Sequence, residues 1–380
     1  MEALAPALTR IKEALESECR VGLFAKHKLL LAAIPDVLDE TPIVRLVVRG
    51  PGTPIDESPL PRFIGGAPTV VVLGLPPEDC TELPQSPASG APHLAGPPLH
   101  APGNLYPKDK SFPGTFGAFA HRNGDSEIVG VTAAHVLMTK EEHAQFKNGS
   151  LSETYDEDEV YHRQPVVGGH FVGRREINIA ALRKGVDVAL VKDLSLEWQP
   201  VPGETHVIPG FVFDGLSRGT TGVPETLCPF RYGYSSGGFE EGDWCGSGLS
   251  FTGLYEPKHE LAKVGKVGMK THLTFGSMCS SACIANNQMP LRVVMDQFVV
   301  KPLEVGTSFC DFGDSGSVIW TADGADHRIV GILSKKFAID GGTWGIVCPA
   351  LKIQEMYDIQ FCVGAGGTDV RVMAKNPDRS

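Results

Sequence analysis

Apolar residues recur at helical spacing at the start of the chain. Leu4, Leu8, Ile11 and Leu15 fall on one face with charged residues between them, which predicts an amphipathic helix. Beyond it the period shortens. Ile43–Val48 and Thr69–Leu73 read as strands, short runs rich in β-branched residues. Between Pro84 and Pro113 the pattern gives way to Pro, Gly, Ser and Ala, the composition of a linker or an extended wrap. From Gly114 to Leu137 apolar strands alternate around a turn at Asn123-Gly124-Asp125. Later apolar runs lie at Gly185–Val191, Ile329–Ser334 and Gly345–Pro349. Leu351–Tyr357 reads as a closing helix, and the chain from Gly364 as a tail. With 44 Gly, 29 Pro and few long helical periods, the middle and end are expected to be all-β with many turns.

The length of 380 residues suits two domains, or one large domain with an extension, and a 42% hydrophobic content allows a sizeable core. The formal net charge is −11 with no basic cluster of useful length, which argues against nucleic acid or an anionic membrane surface as partner. Leu29–Ile34 is the longest apolar stretch near the start and is too short to span a bilayer. Met1 to Arg20 alternates charged and apolar residues and does not read as a secretory signal. Nine cysteines, an odd count without small-scaffold spacing, favour a reduced compartment, cytoplasmic or otherwise intracellular. Without a secretory route the sequon Asn148-Gly149-Ser150 is read as a turn. Cys279-Ser280-Ser281-Ala282-Cys283 has half of a zinc-site spacing but no matching second pair, so buried thiols are expected and no metal. Gly364-Ala365-Gly366-Gly367 has no following helix to bind a phosphate, and no cofactor is expected.

Chemistry concentrates in two segments, Thr132-Ala133-Ala134-His135 and Phe312-Gly313-Asp314-Ser315-Gly316-Ser317. A serine hydroxyl attacks a carbonyl at neutral pH only if a base takes its proton and fixed donors receive the developing oxyanion. Glycines around Ser315 allow a sharp turn that exposes its Oγ. The same turn makes Gly313, Asp314 and Ser315 an oxyanion site in which the Gly313 and Ser315 amides are the natural donors. His135 is the candidate base. A third member must orient the imidazole, and Asp187 is the best candidate because it lies in an apolar run, where an ionised carboxylate needs a partner. Asp156, Asp158 and Asp193 are rivals, the first two in an acidic stretch that reads as a solvated loop. Taken singly, Gly-Asp-Ser-Gly is an ordinary turn and Ala-Ala-His a core histidine. The weight lies in their combination and in the order His135, Asp187, Ser315.

On these segments the chain resembles the trypsin-like serine endopeptidases of the chymotrypsin fold, most of all their disulfide-poor bacterial and fungal members. The resemblance covers about residues 112–365. It implies two six-stranded antiparallel β-barrels: barrel 1 at about 112–200, an insertion at about 200–260 and barrel 2 at about 261–365. An N-terminal α+β extension at 1–111 would precede them, and a tail at 366–380 would follow. The pattern Lys266-x-Gly268-x-x-Thr271-x-x-Thr274-x-Gly276 is similar to the strand that opens the second barrel in such members. By the same resemblance Gly331, Leu333 and Ser334 border the primary specificity pocket on a strand that pairs with substrate backbone. Phe309, with Cys310 and Asp311 after it, stands where trypsins carry an aspartate. An aromatic there offers no countercharge, so small or apolar side chains are expected in place of Arg or Lys.

Departures from the family are also visible. The position after the histidine, often cysteine in secreted members, is Val136. Arg62-Phe63-Ile64-Gly65-Gly66 faintly resembles a zymogen activation site, but it lies too far before His135 and is read as a Gly-Gly turn, leaving Asp314 to find another partner. The implied function is hydrolysis of polypeptides through an acyl-enzyme formed on Ser315. Two alternatives stay open: a latent or scaffold protein whose cleft is filled by the N-terminal region or the insertion, and an esterase or acyl transferase with the same triad.

Overall fold

A computed structural model describes residues 4–20, 22–50, 59–79, 104–107, 114–124, 127–151, 158–162, 170–195, 251, 253–256, 261–268, 271–286, 292–304, 306–321 and 328–362. Most of the 200–260 insertion, Asp156 and the tail lie outside them. The first part contains α1 (Ala5–Arg20), α2 (Leu23–Lys26), β1 (Leu30–Leu38), β2 (Thr41–Arg49), β3 (Phe63–Ile64), β4 (Ala67–Gly74) and β5 (Glu78–Asp79). Then come β6 (Asn104–Pro107), β7 (Gly114–Thr115), β8 (Ala118–Arg122), β9 (Ile128–Thr132), α3 (Ala134–Leu137), α4 (Lys140–Asn148), β10 (Glu159–His162), β11 (His170–Ile177), α5 (Ile179–Arg183) and β12 (Ala189–Lys192). The last part holds β13 (Gly253–Leu254), β14 (Leu261–Gly268), β15 (His272–Asn286), β16 (Arg292–Pro302), β17 (Val318–Thr321), β18 (Arg328–Ile339), β19 (Gly342–Pro349), α6 (Ala350–Tyr357) and β20 (Ile359–Phe361).

The chain is mostly β, as its turn-rich composition implied. Eight strands form one sheet in the order β20-β8-β9-β12-β11-β10-β6-β7, and twelve form the other. Within the larger sheet β14, β17, β18, β19, β16 and β15 pair in succession, and the β14–β15 pairing closes them into a cycle of six. Five of the six extra strands, β1 to β5, come from the N-terminal part, which makes no sheet of its own, and the sixth, β13, pairs parallel with β18. β1 adds to β15 through Ala32↔Ile284 and Ala33↔Cys283, and β2 and β4 follow it outward. The C-terminal β20 crosses back to the smaller sheet and pairs with β8.

Leu29–Ile34, apolar without alternation, belongs largely to a central strand. Leu30 and Ala33 of β1 pack with Leu8, Ile11 and Leu15 of α1, while Leu31, Ala32 and Ile34 pack with Phe337 and Ile346 on the other side. The opening helix buries the face its spacing predicted. Gly65 and Gly66, both at positive φ, make the tight turn from β3 into β4, so the Arg62–Gly66 segment is the turn that its glycines imply. A core of Ala118, Val129 and Val131 from the smaller sheet with Trp320, Ile329 and Ile332 from the larger locks the two sheets together. Loops from both converge at its edge.

Candidate active site

His135 stands in α3, directly after β9, and all four residues of that helix are buried. The α3 turn is anchored from below. Arg175, itself buried, donates from Nη1 to the Leu137 carbonyl and pairs with Glu142 at 2.7 Å and Asp158 at 2.6 Å. The helix α4 that carries Glu142 starts in a capping box built by Thr139. From its first turns, His143 Nε2 lies 2.8 Å from the His135 carbonyl oxygen. Asp158, a rival for the third position, is thus committed to Arg175. Asp193, the other described rival, is exposed at a left-handed backbone position.

Asp187 sits between α5 and β12, four residues past the helix end, with Gly185 turning the chain at φ 84°. Its carboxylate is where the sheets' loops meet. Oδ1 accepts from the His135 amide at 3.1 Å and Oδ2 contacts His135 Nδ1 at 2.6 Å. The Ser334 hydroxyl donates to the same Oδ2 at 2.7 Å. An aspartate only 4% exposed is thereby satisfied by its neighbours, the compensation that its apolar setting demanded.

Ser315 occupies the loop before β17 and its side chain is completely buried. Gly313 and Gly316 hold positive φ angles of 96° and 93°. A Cβ at Gly316 would lie 2.1 Å from the Thr115 carbonyl oxygen and 2.2 Å from Thr132 Oγ1, so only glycine fits this turn. Thr115 ties the loop to the other sheet: its amide donates to the Ser315 carbonyl at 2.7 Å and its hydroxyl to the Gly313 carbonyl at 2.9 Å. Among the described residues the Gly313 and Ser315 amides donate no hydrogen bond, whereas the Asp314 amide donates to the Asp311 carbonyl. Of the three residues expected to line an oxyanion site, two therefore have open donors. The Ser315 hydroxyl donates to the Ser334 carbonyl at 2.9 Å. Ser334 thus touches Asp187 with its side chain and Ser315 with its backbone.

Asp314, next to the serine, points away from it into the second sheet. Lys266 Nζ lies 3.1 Å from Asp314 Oδ2, both side chains unexposed, and Thr271 adds its hydroxyl at 2.6 Å and its amide at 3.0 Å. Burial pushes the Asp314 pKa up, but the Lys266 charge and the hydrogen bonds from Thr271 and the Asp311 amide outweigh it, leaving the carboxyl below the ordinary range. Gly268 leaves room for this carboxylate, since a Cβ there would lie 2.3 Å from Asp314 Oδ1.

The expected pocket residues divide. Phe309 is fully buried against Gly276 and Gly345, and its carbonyl accepts from the Thr274 hydroxyl at 2.7 Å. Cys310 is buried beside it with Sγ 3.4 Å from the Trp344 carbonyl oxygen. Gly331, Leu333 and Ser334 lie on β18, where the Leu333 amide donates to the Ser317 carbonyl and its carbonyl accepts from the Gly316 amide. Cys279 and Cys283 are buried free thiols. Among the described residues no His, Cys, Asp and Glu group could hold a metal, and no helix is long and apolar enough to cross a membrane. Sequence reasoning missed Thr115, Lys266 as the partner of Asp314, and the hydroxyl of Ser334. The Lys-x-Gly-x-x-Thr spacing was the one signal for the second.

No family model matches the chain, and no curated protein matches it. Solved structures do. Thermobifida fusca protease A is 14% identical with a TM-score of 0.37, over 70% of this chain and 99% of that one. A glutamic-acid-specific serine protease, described as using a histidine triad in substrate binding, is 15% identical with a TM-score of 0.40, over 69% and 100%. Cellulomonas bogoriensis chymotrypsin is 12% identical with a TM-score of 0.34, over 70% and 99%. The likeness is to chymotrypsin-fold serine proteases.

Proposed function

We propose that this chain is a serine endopeptidase whose nucleophile is Ser315, with His135 as general base and then acid and Asp187 as the group that orients it. The observation that carries this reading is the connected set Asp187–His135 and Asp187–Ser334–Ser315, assembled at 2.6 to 2.9 Å from helix α3, strand β18 and the loops before β12 and β17. The Asp187 carboxylate fixes the proton on Nδ1 and leaves Nε2 as the basic nitrogen. As the Ser315 hydroxyl swings from the Ser334 carbonyl toward Nε2, it surrenders its proton and Oγ bonds to the substrate carbonyl carbon. The oxyanion forms against the Gly313 and Ser315 amides. His135 then protonates the leaving amine as the C–N bond breaks. Water repeats the sequence and frees the acyl group.

The finer architecture belongs to the same reading: two six-stranded barrels with the site between them, an added N-terminal region over 1–111, and a polypeptide as substrate. Phe309 supports a primary pocket without a negative charge at its base. The free thiols of Cys19, Cys279, Cys283, Cys348 and Cys362 support a reducing environment. A latent state has an observation in its favour as well, since Ser315 is wholly buried and its hydroxyl is held by Ser334. Labelling with a fluorophosphonate probe tests the central reading. Loss of labelling in both Ser315→Ala and His135→Ala supports an activated serine. Turnover of small esters without any peptide cleavage would move the chain to the esterase or acyl-transferase class.

A further inference from the structure

The edge of β18 beside the nucleophile is already taken. β18 pairs with β17 as far as Ile332, and Leu333 then bonds to the nucleophile loop itself. Ser334 follows, touching both Ser315 and Asp187. Past Ser334 the same edge carries the chain's own N-terminal part. Ile339 pairs with Gly74, the Leu75 amide donates to the Ala338 carbonyl at 3.0 Å, and β5 pairs antiparallel through Lys336↔Glu78 and Lys335↔Asp79. The segment therefore runs along β18 toward Ser334. Glu78 lies 3.4 Å from Lys336 Nζ, and the same ammonium stacks on the Phe312 ring at 3.2 Å and lies 3.7 Å from Asp311.

Resting on the endopeptidase reading and on the substrate-pairing strand that the resemblance implies, we propose that Glu78–Asp79 occupies in cis the edge of β18 at Lys335 and Lys336 along which an extended substrate would lie. A free strand edge pairs with any extended backbone, so two strands cannot share it. A peptide that reaches Ser315 by adding to β18 must displace β5. Antiparallel addition brings its C-terminal direction toward Ser334, as β5 itself runs. Because Lys336 lies two residues beyond Ser334, an acidic side chain two residues before the one level with Ser334 recovers the contact made by Glu78. Lys336 is thus a specificity-determining residue, and release of β5 exposes the substrate edge.

The test uses two covalent probes on the full chain. A small alkyl fluorophosphonate reacts with Ser315 by expelling fluoride and needs no strand edge. A Glu-Ala-Leu diphenyl phosphonate reacts by expelling phenoxide and has to lie along β18 first. In each case Oγ bonds to phosphorus and its proton passes to His135. Asp79→Pro weakens β5 pairing, and Glu78→Lys, at a half-exposed surface position, reverses the charge against Lys336. Both variants are expected to leave fluorophosphonate labelling unchanged and to speed the peptidyl probe about 10-fold or more. In the Asp79→Pro background Lys336→Glu is expected to return the peptidyl rate toward that of wild type, and a Lys-Ala-Leu probe should then be preferred. Equal peptidyl rates in wild type and both variants, with normal fluorophosphonate labelling, would overturn the proposal and leave the activity reading intact. Absence of labelling by both probes, in wild type and in the two variants, overturns the activity reading, and the proposal falls with it.

Discussion

Lys266 and Asp314 form an ion pair of 3.1 Å in which neither side chain is exposed. The residue before Ser315 is therefore fixed by a cation on the strand β14. Its carboxylate also collects the Thr271 and Asp311 amides, so it braces the loop that carries Gly313 and Ser315. Removing one member of such a pair leaves an uncompensated buried charge. Lys266→Met is expected to cost about 3–5 kcal/mol, and the double change Lys266→Met with Asp314→Asn less than the sum of the singles. Chemical denaturation of the three variants checks this, and additive losses would contradict it.

The same carboxylate gives a pH dependence of defined sign. Asp314 has a lower pKa folded than its ordinary 3.8, as do Asp36, held by Lys301 and Arg45 against the cost of burial, and Glu142, held by Arg175 from an ordinary 4.5. A group of this kind binds fewer protons in the native state. Its stabilisation is complete above the ordinary pKa and is lost as pH falls through that value to the lowered one. Thermal stability should therefore fall as pH drops below about 5, with a shallower acid slope in the Lys266→Met, Asp314→Asn double variant. Identical slopes would remove Asp314 from the account.

Ser334 offers a kinetic signature. Its hydroxyl bonds Asp187, which in turn contacts His135, so on the proposed reading Ser334 positions the base in addition to lying on the strand that would meet substrate. Ser334→Ala is expected to lower kcat about 10-fold with little change in KM, because the backbone that meets substrate is kept. A raised KM at unchanged kcat would confine Ser334 to binding.

Gly316 tests the geometry of the nucleophile turn. At φ 93°, with the Thr115 carbonyl and Thr132 hydroxyl where a Cβ would stand, Gly316→Ala has no room and the wrong backbone preference. Labelling of Ser315 should fall by about 100-fold or more even where circular dichroism shows a folded chain. Normal labelling would mean the loop is built differently.

Much of this site was legible because its signals are local. The glycines around Ser315 announce a turn, and the aspartate in a valine-rich run announces a buried carboxylate in need of a partner. The expectation that Asp314 has a partner other than a new N-terminus rested on the distance of Arg62–Gly66 from His135; the structure supplies Lys266. What stayed hidden is long-range. Leu29–Ile34 was weighed only as a membrane stretch, because a continuous apolar run does not say that a helix and a sheet will cover its two faces. Nor does a two-residue strand such as β5 leave any periodicity to read. Its pairing with Lys335 and Lys336 is set by where β4 ends on β18. Thr115 looks like any strand threonine until the fold brings it to Gly313.

The most direct measurement is active-site labelling with a fluorophosphonate, followed by mass spectrometry of the modified peptide. A serine activated by His135 and Asp187 predicts a single adduct on Ser315, absent in Ser315→Ala and His135→Ala and slowed by about four orders of magnitude in Asp187→Asn, because the asparagine holds the imidazole in the wrong tautomer. Folded wild-type protein that takes up no label at Ser315, with β5 in place or released by Asp79→Pro, would contradict the account.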